Sequence, residues 1–336
     1  MKKIVANAPT RIDLAGGTLD IWPLNMLVDR AVTVNVAIDL WATTTLEEMP
    51  SGRIKVRSED QQVEETWDHP IPAALKTELP LIAECVRFFD PERPLRIATR
   101  CAAPAGSGLG GSSSLAISLL GGLQAFLGRP IIPPDEMVRV ARDLEARVLE
   151  IPTGTQDHFA AAFGGAAAIR FGPGKPVREP LPLDLDRLSG RLVLAYAGAS
   201  RASAQANWDM VRRVIEREGD TRRSLQAIAT IAQEMRGALM QGDLDGAASL
   251  MAREWAERKT LSPKVTTEII EKSLAAAQPA GALAGKVCGA GGGGCMVFLC
   301  REGAREAVRS ALDRLAPDGV RVLAARPTRV GLHLAG

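Results

Sequence analysis

The segment Pro104-Ala-Gly-Ser-Gly-Leu-Gly-Gly-Ser-Ser-Ser114 is the most informative part of this sequence. Residues 95–101 before it have the pattern of a strand, and the apolar run 115–127 after it predicts a helix. Glycine lets the backbone approach a ligand closely, and the start of a helix presents unpaired N–H groups and the positive end of a dipole. The segment therefore predicts a phosphate-binding loop between a strand and a helix.

Other kinds of glycine-rich segment match this stretch less well. A P-loop requires Gly-Lys-Ser/Thr, which is absent. Gly106-x-Gly108 suggests a dinucleotide fingerprint, but a serine run follows and the downstream acidic residue is missing. A flexible Gly/Ser linker stays as the alternative, although a strand and a long apolar helix do not usually frame a linker.

A second glycine loop, Lys286-Val-Cys-Gly-Ala-Gly-Gly-Gly-Gly-Cys295, precedes a predicted strand at 295–300. Taken alone, the loop is also consistent with a tight turn that packs against a neighbour. Beside the first loop, a role near a nucleotide becomes the better interpretation.

Two pairs of carboxylates, Asp13 with Asp20 and Glu145 with Asp157, each flank a turn that contains glycine. Phosphoryl transfer needs a metal held by a carboxylate and a hydroxyl, and a group that orients or deprotonates the nucleophile. A Glu on a helix and an Asp in the loop after it can divide these tasks, although acidic residues are more often solvated surface groups. Asp157 is the best candidate because it follows a Pro/Gly turn and precedes an apolar run of small residues.

The three histidines do not predict chemistry of their own. His158 is adjacent to Asp157, but neighbouring side chains in an extended or helical segment point apart, so we assign it no catalytic role. His69 and His333 lack the spacing of metal ligands, and no zinc site is predicted.

Composition narrows the class of protein. A net charge of +2 is too small to indicate nucleic acid or a membrane surface as a partner. Aromatic residues make up 4% of the chain, which is too few for a surface on which the bases of a nucleic acid stack. The five cysteines are odd in number and form no Cys-x-x-Cys, which indicates a reducing compartment. The first residues show no leader pattern, and we expect a cytoplasmic protein without a membrane span.

The predicted elements are mixed α/β in both halves. Alternation of β-branched residues at 32–47 predicts a strand, and Pro133-Pro134-Asp135 opens a helix. Residues 172–186 are rich in Gly and Pro. We place the domain boundary there, which gives an N-terminal domain at 1–185 and a C-terminal domain at 186–336.

Three motifs resemble those of the GHMP kinases, which include galactokinase, homoserine kinase, mevalonate kinase and phosphomevalonate kinase. They are Ala8-Pro-Thr-Arg-Ile-Asp-Leu-Ala-Gly-Gly-Thr-Leu-Asp20, the loop from Pro104 to Ser114 and the segment from Lys286 to Gly294. The motifs occur in the family's order and span nearly the whole chain. The resemblance implies an α+β, two-domain fold, with an N-terminal domain like the second domain of ribosomal protein S5 and a ferredoxin-like C-terminal domain.

The resemblance also implies an ATP- and Mg²⁺-dependent kinase. Asp157 aligns with the residue that acts as base or orients the acceptor hydroxyl, and Arg11 with a residue near the transferred phosphoryl group. Ser112 and Glu145 align with magnesium ligands, although Gly111 replaces the usual first serine, so Ser113 stays an alternative to Ser112. The implied nucleotide contacts are Pro104, Gly106, Ser107, Gly108, Leu109, Gly110, Gly111, Ser112 and Ser113, with Gly289, Ala290, Gly291 and Gly292 of the second loop, and the implied acceptor contacts are Gly17, Thr18 and Asp20.

Within the family, the chain is most similar to the bacterial D-glycero-D-manno-heptose 7-phosphate kinases. The shared segments are Ala15-Gly-Gly-Thr-Leu-Asp20, Ile151-Pro-Thr-Gly-Thr-Gln-Asp157 and Tyr196-Ala-Gly-Ala-Ser-Arg201. This likeness implies phosphorylation of a sugar or sugar phosphate at the anomeric hydroxyl. Gly17-Thr18 stands where galactokinases carry Glu-His, which disfavours galactose, and the tract 21–25 differs from the heptose kinases, so the sugar stays open.

Two other functions remain as alternatives. A mevalonate-type kinase acts on an aliphatic hydroxy acid, which needs fewer hydroxyl partners and more cationic ones. A catalytically silent nucleotide-binding sensor could share the fold, but the joint presence of Asp157, Glu145, Ser112 and Arg11 argues against it. The expected partner is a small-molecule sugar or sugar phosphate, and the oligomeric state is left open, with a homodimer as one candidate.

Overall fold

A computed structural model of the chain describes residues 2–72, 75–198 and 203–335, and for residues 203–207 it describes the backbone alone. Residues 199–201 of the motif 196–201 lie outside these described residues. The strands are β1 (Lys3–Ala15), β2 (Val32–Glu48), β3 (Ile54–Ser58), β4 (Val63–Trp67), β5 (Leu95–Cys101), β6 (Ala166–Arg170), β7 (Val177–Pro180), β8 (Leu192–Tyr196), β9 (Ala282–Val287), β10 (Cys295–Cys300), β11 (Arg321–Leu323) and β12 (His333–Ala335). The helices are α1 (Leu24–Leu27), α2 (Pro80–Phe89), α3 (Gly111–Leu127), α4 (Pro134–Leu149), α5 (Gln156–Phe163), α6 (Leu185–Ser189), α7 (Ser203–Ile215), α8 (Thr221–Met240), α9 (Leu244–Leu261), α10 (Glu268–Ala277) and α11 (Arg305–Asp313).

The first sheet has the order β12-β1-β2-β5-β3-β4, with β6 beside β2 and β7 beside β6. Strand β2 is long enough to pair with β1, β5 and β6, each time antiparallel. Among the described strands of this sheet, β3 and β5 form the one parallel pair. The predicted strands at 32–47 and 95–101 are confirmed as β2 and β5. Helices α2, α3, α4 and α5 pack with this sheet in one apolar core.

Helix α3 is buried on nearly all sides, which explains its almost continuous apolar sequence. Helix α4 begins with Pro134, whose missing N–H costs nothing in the first turn. Its buried stripe runs through Met137, Ala141 and Leu144 and ends at Glu145. The amphipathic pattern of α4 therefore delivers a carboxylate to the interior beside the start of α3.

The second sheet has the order β11-β8-β10-β9 and is antiparallel throughout. Numbered along this part of the chain, the order is 4-1-3-2, the arrangement of a ferredoxin-like unit. Helix α9 packs on β9 and on β1 and so links the two sheets, while α8 packs on β1 and β2 of the first sheet and against α9. The boundary predicted at 185 falls between β7 and β8 and stays a prediction.

The segment 326–335 returns to the first sheet, although it follows the second sheet in the chain. Strand β12 pairs with β1, with Val5 opposite Ala335. Leu332 packs so closely against Gly121 of α3 that a Cβ there would lie 2.6 Å from a leucine methyl group. This segment therefore supports the helices of the first domain from behind.

In the part of the chain that the structure describes, none of the helices combines the length and apolar character needed to cross a membrane.

Candidate active site

The first glycine loop ends at the N-terminus of α3, as predicted. Gly110 precedes the helix with φ +76°, a conformation that favours glycine, and no side chain caps this helix end. Ser114 anchors the first turn to the first sheet by donating from Oγ to the Pro9 carbonyl oxygen at 2.8 Å. Gly111 and Ser112 therefore lie in the first turn of an uncapped helix, where unpaired backbone N–H groups can bind an anion.

The two glycine loops pack backbone against backbone. A Cβ on Gly108 would collide with the Cys288 carbonyl oxygen, and a Cβ on Gly289 would lie 3.1 Å from the Gly108 Cα. The Cys295 N–H donates to the Ser107 carbonyl oxygen at 2.7 Å, and a Cβ on Gly294 would lie 2.7 Å from that same oxygen. The second loop therefore packs directly against the first. Glycine is required where the two loops are in contact, because a Cβ would not fit between them.

Arg11 joins the first glycine loop to Asp157. Its Nε and Nη2 each lie 2.7 Å from Asp157 Oδ1, and its Nη1 donates to the Gly108 carbonyl oxygen at 2.5 Å. Burial alone would lower the pKa of Arg11, but the charge of Asp157 raises it above its ordinary value, so the pair is ionic. A Cβ on Gly110 would lie 2.9 Å from the Asp157 carboxyl group, so this carboxylate lies directly against the loop.

Glu145 accepts hydrogen bonds from both candidate serines. Ser112 Oγ donates to its Oε1, and Ser113 Oγ donates to its Oε2 at 3.0 Å. Behind it, Nε2 of the fully buried His158 lies 3.2 Å from Oε2, on the side of α5 away from Asp157. Burial alone would raise the pKa of Glu145, but His158 and the serine hydroxyls hold it below its ordinary value. Glu145 is therefore a carboxylate at neutral pH.

Asp20 caps the helix that carries Asp157. Its Oδ2 accepts from the N–H groups of Thr155 at 2.8 Å and Gln156 at 3.0 Å, at the start of α5. Gly154 leaves room for this contact, because a Cβ there would collide with Oδ2. Burial, together with the nearby charge of Asp157, raises the pKa of Asp20 to about 6.

Behind the turn 16–20 lies a group of four buried charges, which we call the buried quartet: Asp13, Glu254, Arg258 and Lys286. Lys286 Nζ lies 3.0 Å from Asp13 Oδ2 and 3.0 Å from Glu254 Oε2. Arg258 Nη2 lies 2.6 Å from Glu254 Oε1. All four side chains are at most 2% exposed. Two anions and two cations thus neutralise each other, and although burial opposes it, Lys286 and Arg258 hold the pKa of Asp13 below its ordinary value.

A single cavity of about 620 Å³ brings most of the predicted residues together. Its lining includes the catalytic and metal candidates, the acceptor candidates, most of the first loop and half of the second: Arg11, Gly17, Thr18, Asp20, Pro104, Gly106, Ser107, Gly108, Gly110, Gly111, Ser112, Ser113, Glu145, Asp157, Gly289 and Ala290.

Three predicted residues lie elsewhere. The Leu109 side chain is buried in the core between the sheets, and its carbonyl oxygen accepts from the Arg11 N–H at 3.0 Å. Gly291 and Gly292 pack against the segment 264–265 instead, where the Gly292 N–H donates to the Val265 carbonyl oxygen at 2.8 Å. These residues contribute to the shape of the loops from outside the cavity.

The oxygen atoms around Glu145 match the ligands that Mg²⁺ prefers. One carboxylate and the hydroxyl groups of Ser112 and Ser113 are hard oxygen donors, and Mg²⁺ at a kinase site commonly takes one or two carboxylates plus substrate phosphates. Among the described residues, no cluster of three or more His, Cys, Asp and Glu side chains forms an all-protein metal cage.

Sequence reasoning missed the quartet partners on α9 and the contact of His158 with Glu145. One face of α9 carries buried residues at helical spacing, namely Ala247, Met251, Glu254 and Arg258. The helical periodicity therefore places the two charged side chains on the buried side of the helix. His158 is not part of the cavity lining that contains Asp157, and its lack of a catalytic role stays a prediction. Its partner Glu145 could not be read from the sequence, because the two residues belong to different helices.

Comparisons with known proteins agree with this geometry. The profile of the GHMP kinases N-terminal domain matches residues 80–165, and that of the C-terminal domain matches residues 235–318. The chain is 30% identical to D-glycero-alpha-D-manno-heptose 7-phosphate kinase of Campylobacter jejuni, over 89% of this chain and 90% of that protein. It is 25% identical to mevalonate kinase of Methanothermobacter thermautotrophicus, over 93% of this chain and 95% of that protein. Its structure is similar to that of D-glycero-D-manno-heptose 1-phosphate kinase from Bacteroides thetaiotaomicron, with a TM-score of 0.77 and 26% identity over 99% of both chains.

Proposed function

The chain belongs to the GHMP kinases and has their two-domain fold, and on this premise we propose that it transfers the γ-phosphoryl group of ATP to a hydroxyl group of a heptose phosphate. The family and the α+β fold predicted from the three sequence motifs are confirmed. The observation that carries the proposal is that one cavity holds the phosphate loop, the Arg11–Asp157 pair and Asp20 side by side.

The first glycine loop is the proposed site of the ATP phosphates. The uncapped start of α3 and the left-handed backbone at Gly108 and Gly110 leave N–H groups facing the cavity without side chains in the way. Positioning and electrostatic stabilisation account for most of phosphoryl transfer catalysis, so the loop that holds the phosphates must be held firmly in place. The second loop supplies this rigidity by its backbone contacts with Ser107 and Gly108.

Asp157 is the proposed partner of the acceptor hydroxyl. It orients the hydroxyl and accepts its proton while the new O–P bond forms and the bond between the γ-phosphorus and the ADP oxygen breaks. The proton then leaves to solvent from the Asp157 side chain, which is 24% exposed. Arg11 holds the carboxylate in place and presents a positive charge beside the loop, where the transferred group gathers negative charge.

Glu145 and Ser112, with Ser113 beside them, are the proposed residues that hold Mg²⁺. Held by these oxygen atoms, Mg²⁺ would supply positive charge beside the phosphates of the nucleotide. The lowered pKa of Glu145 keeps this carboxylate ionised at neutral pH, which is the form that binds a cation.

The acceptor class rests on Asp20 and on the relatives. A buried carboxylate whose Oδ2 is occupied by two backbone N–H groups has Oδ1 left to accept from sugar hydroxyls. This site suits a polyhydroxylated acceptor at Asp20 better than a carboxylate there.

The proposal is tested by ADP release at saturating MgATP. The acceptors are D-glycero-D-manno-heptose 7-phosphate, D-glycero-D-manno-heptose 1-phosphate, galactose and mevalonate, because the relatives' names differ in the position of the phosphate on the heptose. We expect turnover with a heptose phosphate, and ³¹P NMR of the product identifies the phosphorylated carbon. Turnover with mevalonate alone would contradict the acceptor class. Tight ATP binding without turnover on any acceptor would favour the silent sensor.

A further inference from the structure

The turn 16–20, which places Gly17, Thr18 and Asp20 in the cavity, is held from behind by a side chain of the other half of the chain. Arg258 on α9 donates from Nη2 to the Gly17 carbonyl oxygen at 2.8 Å, and its Nη1 lies 3.4 Å from Thr18 Oγ1. The side chain is fully buried and reaches the turn through the quartet, so it does not line the cavity.

The turn needs such a restraint because Thr18 has φ +79°. A β-branched residue rarely adopts this left-handed conformation, which is strained and persists only when the surroundings enforce it. The conformation is what shapes the turn: the Leu19 N–H donates to the Gly16 carbonyl oxygen and the Ile21 N–H to the Thr18 carbonyl oxygen, at 3.1 and 3.2 Å. Asp20 is thereby carried to the start of α5.

The quartet fixes where the guanidinium group lies. Glu254 stands one helical turn before Arg258 and accepts from both its Nε and its Nη2, while Lys286 holds the other oxygen of Glu254. On the far side, Asp13 lies under Gly17 so closely that a Cβ on Gly17 would collide with Oδ2. The guanidinium thus has its charge balanced and its direction set before any ligand arrives.

From this arrangement we propose that Arg258 is a positioning residue for the acceptor: it holds the strained turn 16–20 in the conformation that binds the sugar, and it takes no part in ATP binding. The inference rests on the proposed function only in naming the acceptor as the ligand of the turn. It assigns to helix α9, far along the chain, control over a binding segment next to β1.

The test uses two variants of the full-length protein. Arg258→Lys keeps a cation beside Glu254 but is too short and has too few donors to hold Gly17 as well. The paired variant Glu254→Gln with Arg258→Gln removes one charge of each sign, so it leaves no unpaired buried charge if the lysine variant fails to fold. Arg253→Lys, on the same helix but exposed and paired with Glu234, is the matched control.

The first measurement is hydrogen exchange of the free protein, which does not depend on the identity of the acceptor. Peptides that cover residues 16–21 and 153–158 should exchange faster in both variants than in the wild type, while peptides from β2 and α3 stay unchanged. Loss of protection spread evenly over the chain, or unchanged protection at 16–21, would show that Arg258 serves only general stability and would overturn the inference.

The second measurement is steady-state kinetics with the heptose phosphate that the wild type uses. Loss of one hydrogen bond to the turn should raise the acceptor KM by about three- to tenfold, with the ATP KM unchanged. Equal changes in both KM values would count against a role confined to the acceptor turn. If the wild type turns over none of the acceptors, the proposed function fails, whereas the exchange experiment still decides the role of Arg258.

Discussion

Asp157→Asn tests the centre of the mechanism, because it removes a charge while preserving shape. Asparagine can still accept from Arg11 and fits in the space beside Gly110, so the loop geometry should survive. If Asp157 accepts the proton of the acceptor hydroxyl, kcat should fall by about 10²- to 10⁴-fold. The Kd for ATP should stay within about threefold of wild type, since the loss of a side-chain charge leaves the backbone of the loop intact.

The same substitution should alter a second carboxylate. The charge of Asp157 is one of the causes that raise the pKa of Asp20 to about 6, after burial itself. Acceptor binding that needs ionised Asp20 should therefore weaken below about pH 6 in the wild type. In Asp157→Asn that decline should move to lower pH, because the repulsion between the two carboxylates is gone.

Both effects are measurable in one series of experiments. Stopped assays give kcat, and calorimetric titration of the acceptor from pH 5 to 8, with a non-hydrolysable ATP analogue present, gives the pH dependence of binding. A loss in kcat smaller than tenfold would show that Asp157 does not take the proton. If acceptor binding to the variant still declines near pH 6, the charge of Asp157 does not raise the pKa of Asp20.

Three further predictions follow from the site. Glu145→Gln should raise the Mg²⁺ concentration needed for half-maximal rate, and excess Mg²⁺ should recover part of the activity in a titration at saturating ATP; recovery of Asp157→Asn instead would reverse the two roles. Gly108→Ala should weaken ATP binding by at least about tenfold in calorimetry, because its Cβ meets the second loop at Cys288, while Gly172→Ala, which meets nothing within 4 Å, should bind ATP normally. Asp20→Asn should raise the acceptor KM and should also raise the Tm at pH 8. The pKa of Asp20 in the folded protein is raised to about 6, so the stability that the protonated group contributes at low pH is lost as the pH rises through 6. The difference in Tm between the variant and the wild type should therefore shrink at pH 5.

The phosphate loop could be predicted from sequence because its signals are local. Glycines at 106, 108 and 110 sit between a strand and an apolar helix, and each has a positive φ in the structure. The position of Glu145 was also predictable, because it lies on the buried stripe of a helix. Asp157 was expected in a loop after that helix, but the structure places it in the first turn of α5. The roles of both residues stay predictions.

The buried quartet could not be predicted in the same way. Asp13, Glu254 and Lys286 come from three distant segments, and a charged residue in a sequence is by default a surface residue. Only the packing of α9 between the two sheets brings them together and makes mutual neutralisation favourable. The return of segment 326–335 to the first sheet could not be predicted either, because β12 has only three residues and such a short strand shows no recognisable alternation.

That return has a consequence for how the protein is made. Strand β1 is synthesised long before its neighbour β12, and Leu332 and Gly331 also pack against the helices α3 and α5. Until residue 335 has been synthesised, the edge of β1 stays uncovered at Val5–Asn7, and the helix bearing Asp157 lacks its support. A chain that has been synthesised through β11 but not through β12 thus has an open sheet edge at β1, and the second sheet is complete before the first.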